Sequence, residues 1–200
     1  METPTAAPTA LPQSTPAENE ARATFQTLMW ALSNPGRVFT LPGSLFSTRG
    51  SCQLIGAALL DLETSFYTPD ILLRQIFEQT GAHFLDAARA AYLFFPEREV
   101  FEPPMLQTTL NCIEQAQVGT LTDPDQSATL IIACLLGEGK KFQLQGPGIR
   151  TQMPLIVDEL PLEFWQLRNE KTSYPLGFDI FLVDGDQVVG IPRSTLLEIE

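Results

Sequence analysis

The residues best equipped for chemistry are arginines set beside glycine or proline. Arg150 follows Gly146-Pro147-Gly148-Ile149, Arg168 lies in the run FWQLR, and Arg193 follows Pro192. A guanidinium is a rigid fork of donors, so each suits a carboxylate or a phosphate-like anion. The chain carries 24 acidic and 12 basic residues, a formal net charge of −12, so pairing with internal carboxylates competes with either role. The loop Gly146 to Gly148 could turn backbone amides towards a phosphate, although Pro147 removes one donor and a plain turn satisfies the same residues. Asp184 and Asp186 flank Gly185, and two turn carboxylates without further oxygen ligands make a poor cation site.

Other chemistries lack parts. There is no G-x-S-x-G elbow, no Walker loop and no G-x-G-x-x-G. His83 is the single histidine. It reads as a polar residue at an element boundary, with a lone general base as the alternative. Cys52, Cys112 and Cys134 are widely spaced in apolar settings, which argues for buried thiols in a reducing cytoplasm over a disulfide or metal framework. The acidic balance opposes nucleic acid and anionic lipid, and no apolar run approaches the ~20 residues of a membrane helix.

The elements that must position these residues read as one domain. Residues 1–17, with Pro4, Pro8, Pro12 and Pro16 among Ala and Thr, predict a disordered tail, and residues 18–200 a single α/β domain. Pro16 and Glu18 suit a helix start. Ala21, Phe25, Leu28, Met29 and Leu32 then share a face, with Trp30 off it, until Ser33-Asn34-Pro35-Gly36 ends the helix. Arg37–Leu41 is a short strand and Gln53–Thr64 a helix. Phe66-Tyr67 reads as a brief strand before a helix begun at Asp70 that carries Leu72, Leu73, Ile76 and Phe77. Ala90–Phe95 and Ala128–Leu135 read as strands covered on both faces. Met105–Gln117 and Pro161–Asn169, the latter holding Phe164 and Trp165, are helices. Gly137-Glu138-Gly139 predicts a turn into a hairpin strand, Lys140–Gln145. At the end of the chain, Phe178, Ile180 and Leu182 alternate with Phe181 and Val183, Asp184-Gly185-Asp186 turns, and Val188, Val189 and Ile191 return. The expected architecture is three-layer α/β/α with a mixed sheet.

Several of these stretches together resemble a known family. SNPGR after the first helix, LLDLET, TGA, LQGPGI, FW-x-x-R and YPLGFDIFLVDGDQVVGIPRST are similar, in order and spacing, to the PhnH subunit of the bacterial phosphonate carbon–phosphorus lyase system. The resemblance runs from about Phe25 to Thr195. It implies a fold like the large domain of pyridoxal-phosphate-dependent transferases but without the cofactor site. The lysines agree, since Lys140, Lys141 and Lys171 all lie beside turns or polar stretches. It further implies a cytoplasmic accessory subunit with no independent activity, no cofactor and no metal. The implied partners are the G, I and J subunits of the core complex, with a homodimer when alone. The pathway step implied is displacement of adenine from ATP by a phosphonate, with the J subunit cleaving the carbon–phosphorus bond later.

On that resemblance, the positions expected to face a partner or an anion are Trp30, Arg37, Gly146, Gly148, Trp165, Arg168 and Arg193. The competing expectations are a stand-alone phosphate-, phosphonate- or nucleotide-binding module, and a remnant pyridoxal-phosphate enzyme.

Overall fold

Thr15 begins the first helix. Its hydroxyl accepts from Glu18 N at 3.2 Å while its own N–H donates to the Glu18 carboxylate at 2.6 Å, a capping box that satisfies two otherwise orphaned donors. Helix α1 then runs Pro16–Ser33. The computed structural model describes residues 14–43 and 47–199. Most of the expected tail therefore lies outside the described residues, and its last two residues, Pro16 and Ala17, belong to α1.

The chain continues through strand β1 (Val38–Thr40), helix α2 (Thr48–Leu59), β2 (Ser65–Tyr67), helix α3 (Ile71–Glu78), β3 (His83–Phe84) and β4 (Tyr92–Phe95). Helix α4 (Leu106–Glu114), β5 (Thr129–Ala133), β6 (Leu135–Gln145) and β7 (Met153–Asp158) follow. Helix α5 (Leu162–Lys171), β8 (Asp179–Asp184), β9 (Gln187–Ile191) and β10 (Leu196–Ile199) complete it.

Seven strands form one mixed sheet in the order β1-β9-β8-β5-β4-β2-β3, and β10-β6-β7 form a small antiparallel sheet. The neighbours from β3 to β8 are parallel, and β9 and β1 add antiparallel at one edge. The central strands alternate between two half-cores, as period-two side chains require. Leu93, Phe95, Leu130, Ile132, Ile180 and Leu182 join one half-core. Phe94, Ile131, Phe181 and Val183 join the other. Helices α1, α2 and α3 cover the second side. The first is covered by α4 and α5 together with the small sheet, through Phe142, Leu144, Leu155, Val157 and Leu197. The expected α/β class and mixed sheet are present, and one covering layer is part sheet.

Three expectations are corrected. Gly137-Glu138-Gly139 is not a turn: β6 runs straight through it as a bulge, with the register to β7 shifting between Leu136 and Lys140. Helix α2 starts well before Gln53, because the Ser47 side chain caps it by accepting from Gly50 N at 3.1 Å. Finally, α1 is rotated from its expected face. It buries Thr24, Leu28 and Ala31, because Ala31 rests directly on Gly190 of β9. A Cβ at Gly190 would lie 2.5 Å from the Ala31 carbonyl carbon, so glycine permits that approach.

Candidate functional site

The parallel strands all end on one side of the large sheet, and sheet growth reverses at β2, with β3 on one flank and β4 on the other. In open α/β sheets such a reversal leaves a crevice outside the carboxyl ends of the strands. Here that crevice is a cleft of about 550 Å³ lined by Ser47, Thr48, Arg49, Pro96, Glu97, Arg98, Glu99, Glu102 and Glu159. A second chamber of about 250 Å³, lined by Pro69, Asp70, Val100 and Met105, shares Pro96, Glu97 and Glu99 with it.

The local sequence explains the placement. Pro96 stops β4, so Glu97 and Arg98 project where the strand ends. Asp70 caps α3 by accepting from Leu72 N at 2.9 Å and Leu73 N at 3.0 Å, which fixes its carboxylate at the neighbouring strand end. Arg49 then bridges the two: its Nε lies 2.8 Å from Asp70 Oδ2, and its Nη2 pairs with Glu97. Arg98 bridges the other wall, 2.6 Å from Glu159 and 3.5 Å from Asp184, while Asp184 also accepts from Leu136 N at 3.0 Å. The Glu159 hydrogen bond, with Asp184 assisting, holds the Arg98 guanidinium above its ordinary pKa. Glu159 adopts φ 62°, a conformation costing a non-glycine residue roughly 1–2 kcal/mol. Its N–H is held by Asp158 Oδ1 at 2.9 Å.

Arg49 and Arg98 are therefore neutralised by carboxylates, with Glu99 and Glu102 adding further negative charge. Such a cleft disfavours an anion. The two fully or nearly buried thiols are poor nucleophiles as well. Burial, with Asp70 adding to it, pushes Cys52 up to about 12, and burial beside Asp184 raises Cys134 further. None of the cleft arginines or glutamates stood among the expected site residues. One signal was available: Glu97 and Arg98 follow the Pro96 that ends a strand covered on both faces, which is where α/β folds place ligands.

The expected site residues fall elsewhere, in three settings. Trp165 is buried, its ring centroid 4.6 Å from Phe142 and 4.9 Å from Phe164, so it offers no face to a partner. Arg168 is buried too, at 1% exposure, and donates to Asn169 Oδ1 at 3.2 Å, Pro192 O at 3.2 Å and Thr195 O at 2.7 Å. Burial pulls its pKa down to about 10, against the opposing influence of Asp179. It is a clasp between α5 and the entry to β10. Arg193 is a clasp of the same kind: its Nη2 pairs with Asp179 at 3.2 Å and its Nη1 donates to Pro124 O.

The glycine loop is packed. A Cβ at Gly146 would lie 2.8 Å from Ser194 O, and one at Gly148 2.6 Å from Ser33 O. Trp30, Arg37 and Gly148 are exposed as expected of contact residues, with Gly146 and Arg193 half-buried, and Trp30 stands at 55% exposure near the end of α1. Phe25 and Met29 on the same helix and Val38 on the edge strand β1 are exposed with it. Asp184-Gly185-Asp186 does form the expected hairpin turn. Its tip docks on α2, where Gly185 N donates to Thr48 Oγ1 at 3.2 Å and Ser51 Oγ donates to Gly185 O.

Among the described residues no helix is long and apolar enough to cross a membrane, and no group of three or more His, Cys, Asp or Glu side chains could hold a metal ion. The family model described as bacterial phosphonate metabolism protein (PhnH) matches residues 13–198. HtxG of Stutzerimonas stutzeri, described as a candidate C–P lyase subunit, is 27% identical over 179 residues, 88% of this chain and 85% of its own. The PhnH subunit of α-D-ribose 1-methylphosphonate 5-triphosphate synthase of Rhizobium meliloti (strain 1021) is 27% identical over 196 residues, 90% of this chain and 92% of its own.

Proposed function

Because the chain belongs to the PhnH family of bacterial phosphonate metabolism proteins, we propose that it is an accessory subunit of a C–P lyase core complex, supporting formation of a ribose-linked phosphonate triphosphate from ATP and phosphonate. The observation that carries this reading is the outer side of α1. Phe25, Met29 and Trp30 project from one helix, and Val38 projects from the edge strand that follows it. Aromatic and methionine side chains are the types that interface cores select, and an edge strand adds unpaired backbone groups. The carboxyl-end cleft supports the same division of labour. Its arginines are occupied by carboxylates, so the polyanionic nucleotide is held by other subunits while this chain contributes contact surface. The partners in this proposal are the G, I and J subunits in the cytoplasm, with a homodimer when the chain is alone.

The likeness to the large domain of pyridoxal-phosphate-dependent transferases belongs to this proposal as well. The mixed sheet with a cleft at its strand ends supports it, and Lys140, Lys141 and Lys171, on the small sheet and α5, do not line that cleft.

Co-expression with the G, I and J subunits of the same genome, followed by native mass spectrometry, tests the reading. The expected result is a stable complex containing this chain, with ATP–phosphonate coupling lost when it is omitted. A chain that stays apart from a complex with full coupling activity would refute it.

A further inference from the structure

Two Pro-Gly turns, distant in sequence, are each followed by an arginine: Pro35-Gly36-Arg37 after α1, and Pro147-Gly148-Ile149-Arg150 between β6 and β7. The fold presses these turns against each other. Gly36 has φ +78° and Gly148 φ +82°, so both backbones are ones that glycine adopts without strain. A Cβ at Gly36 would meet Leu144 Cδ1 at 2.7 Å and Met153 Cγ at 2.8 Å, and one at Gly148 would meet Ser33 O at 2.6 Å and Pro35 Cδ at 2.9 Å. Gly36 N is tied to Gly190 O at 3.2 Å and Ile149 N to Gly146 O at 3.1 Å. The two arginines therefore spring from fixed backbones.

Arg37 and Arg150 line one cavity of about 120 Å³, completed by Pro35, Gly148, Thr151, Gln152 and neighbours, with no carboxylate in its lining. Among the described residues neither guanidinium has an ion-pair or hydrogen-bond partner, in contrast to Arg49, Arg98 and Arg193. Two unpaired cations held at one cavity repel each other, and an anion between them removes that cost. The volume is that of a few water molecules, the size of an oxyanion group. We propose that Arg37 and Arg150 form a two-guanidinium site for a small oxyanion. The ion is either a free one of the phosphate class or a carboxylate presented by a docked protein. The inference stands apart from the assembly reading, because its first measurement needs only this chain.

The measurement is titration of the full chain with inorganic phosphate, methylphosphonate and acetate at low ionic strength, following the arginine Nε–Hε resonances by NMR. The Arg37 and Arg150 signals should move together and saturate for at least one probe. R37A and R150A should each weaken binding roughly tenfold or more, the scale of a lost charge-assisted hydrogen bond. R89A, which removes an exposed arginine elsewhere, should leave it unchanged. Repeating the titration on the assembled complex separates the sources. Phosphate excluded there, with assembly weakened in the double variant, assigns the ion to a partner carboxylate, and binding that persists assigns it to a free ligand. The proposal is overturned if no probe moves both signals, if the shifts never saturate, or if R89A weakens binding as much as R37A.

Discussion

The end of α1 and the middle of α5 each carry a tryptophan and, a few residues on, an arginine, yet their surroundings are opposite. In α5, Trp165 packs tilted against Phe142 of the small sheet and edge-to-face with Phe164, and Arg168 directs donors to main-chain carbonyls of the segment that enters β10. At the end of α1, Trp30 is more than half exposed, and Arg37 lies on the surface with no carboxylate partner among the described residues. What separates them is coverage. Trp165 and Arg168 sit on the covered face of α5, with Glu163, Gln166, Asn169 and Glu170 exposed on the same helix, whereas Trp30 lies off the buried face of α1 formed by Thr24, Leu28 and Ala31. Residue type therefore sets what a side chain can do, and the layer arrangement decides whether it stabilises the chain or is left available to a partner.

The largest effect expected from breaking this contrast is on α5. Trp165→Ala should cost about 3–5 kcal/mol, the range for emptying a large aromatic site in a packed core. Denaturant unfolding would register it as a lower midpoint with an unchanged slope. A midpoint close to that of the parent would mean the site collapses or was never tightly packed. Arg168→Met should follow at about 1–3 kcal/mol, since it strands the Thr195 carbonyl, Pro192 O keeping the Thr195 N–H at 2.9 Å, while removing the cost of a buried charge. Arg168→Lys should rescue little, because a single ammonium cannot serve both carbonyls with the geometry of a fork.

How far these differences were legible beforehand depends on the element. The alternation of Ile180, Phe181, Leu182 and Val183, and the apolar runs of β4 and β5, announced strands covered on both faces, and the half-cores divide accordingly. The small sheet was not legible. Its longest strand carries Gly137 and Gly139, which read locally as a turn and serve as a bulge; Pro154 interrupts the strand signal of the apolar run in β7, and β10 is only four residues long. Without that sheet the burial of Trp165 and Arg168 could not be foreseen. The cleft pairs Arg49 with Asp70 and Glu97, and Arg98 with Glu159 and Asp184, residues from distant segments whose meeting has no spacing signature. The α1 rotation is a case of tertiary contact overriding periodicity, with Gly190 as the cause.

Alkali offers a handle on the half-core beneath α1. Cys52 is fully buried there, and burial, with Asp70 adding to it, pushes its thiol up to about 12 from the ordinary value of 9.0. The unfolded state therefore loses this proton first. Stability is unaffected below about pH 9 and falls as pH rises towards 12, by up to about 1.4 kcal/mol per pH unit for this one group. Cys52→Ala should flatten part of that decline in unfolding experiments from pH 9 to 11, and an unchanged decline would place the titration elsewhere.

The smallest effect on folding is expected where the effect on assembly is greatest. Trp30 buries little against its own chain, so Trp30→Ala should change stability by no more than about 0.5 kcal/mol, the usual scale for exposed positions. If the outer side of α1 is the contact surface, the same substitution removes an aromatic anchor of the kind that costs an interface about 2 kcal/mol or more, roughly thirtyfold in affinity. The two quantities must be measured together, by unfolding of the isolated chain and by titration of partner subunits with it. A stable variant that assembles poorly would set α1 apart from α5 as a surface kept open for a neighbour. A variant that melts early but assembles normally at low temperature would make Trp30 a second structural tryptophan, and the contrast between the two segments would dissolve. Phe25→Ala and Met29→Ala, each exposed on the same helix, extend the test, since an interface there should feel all three and a chance exposure none.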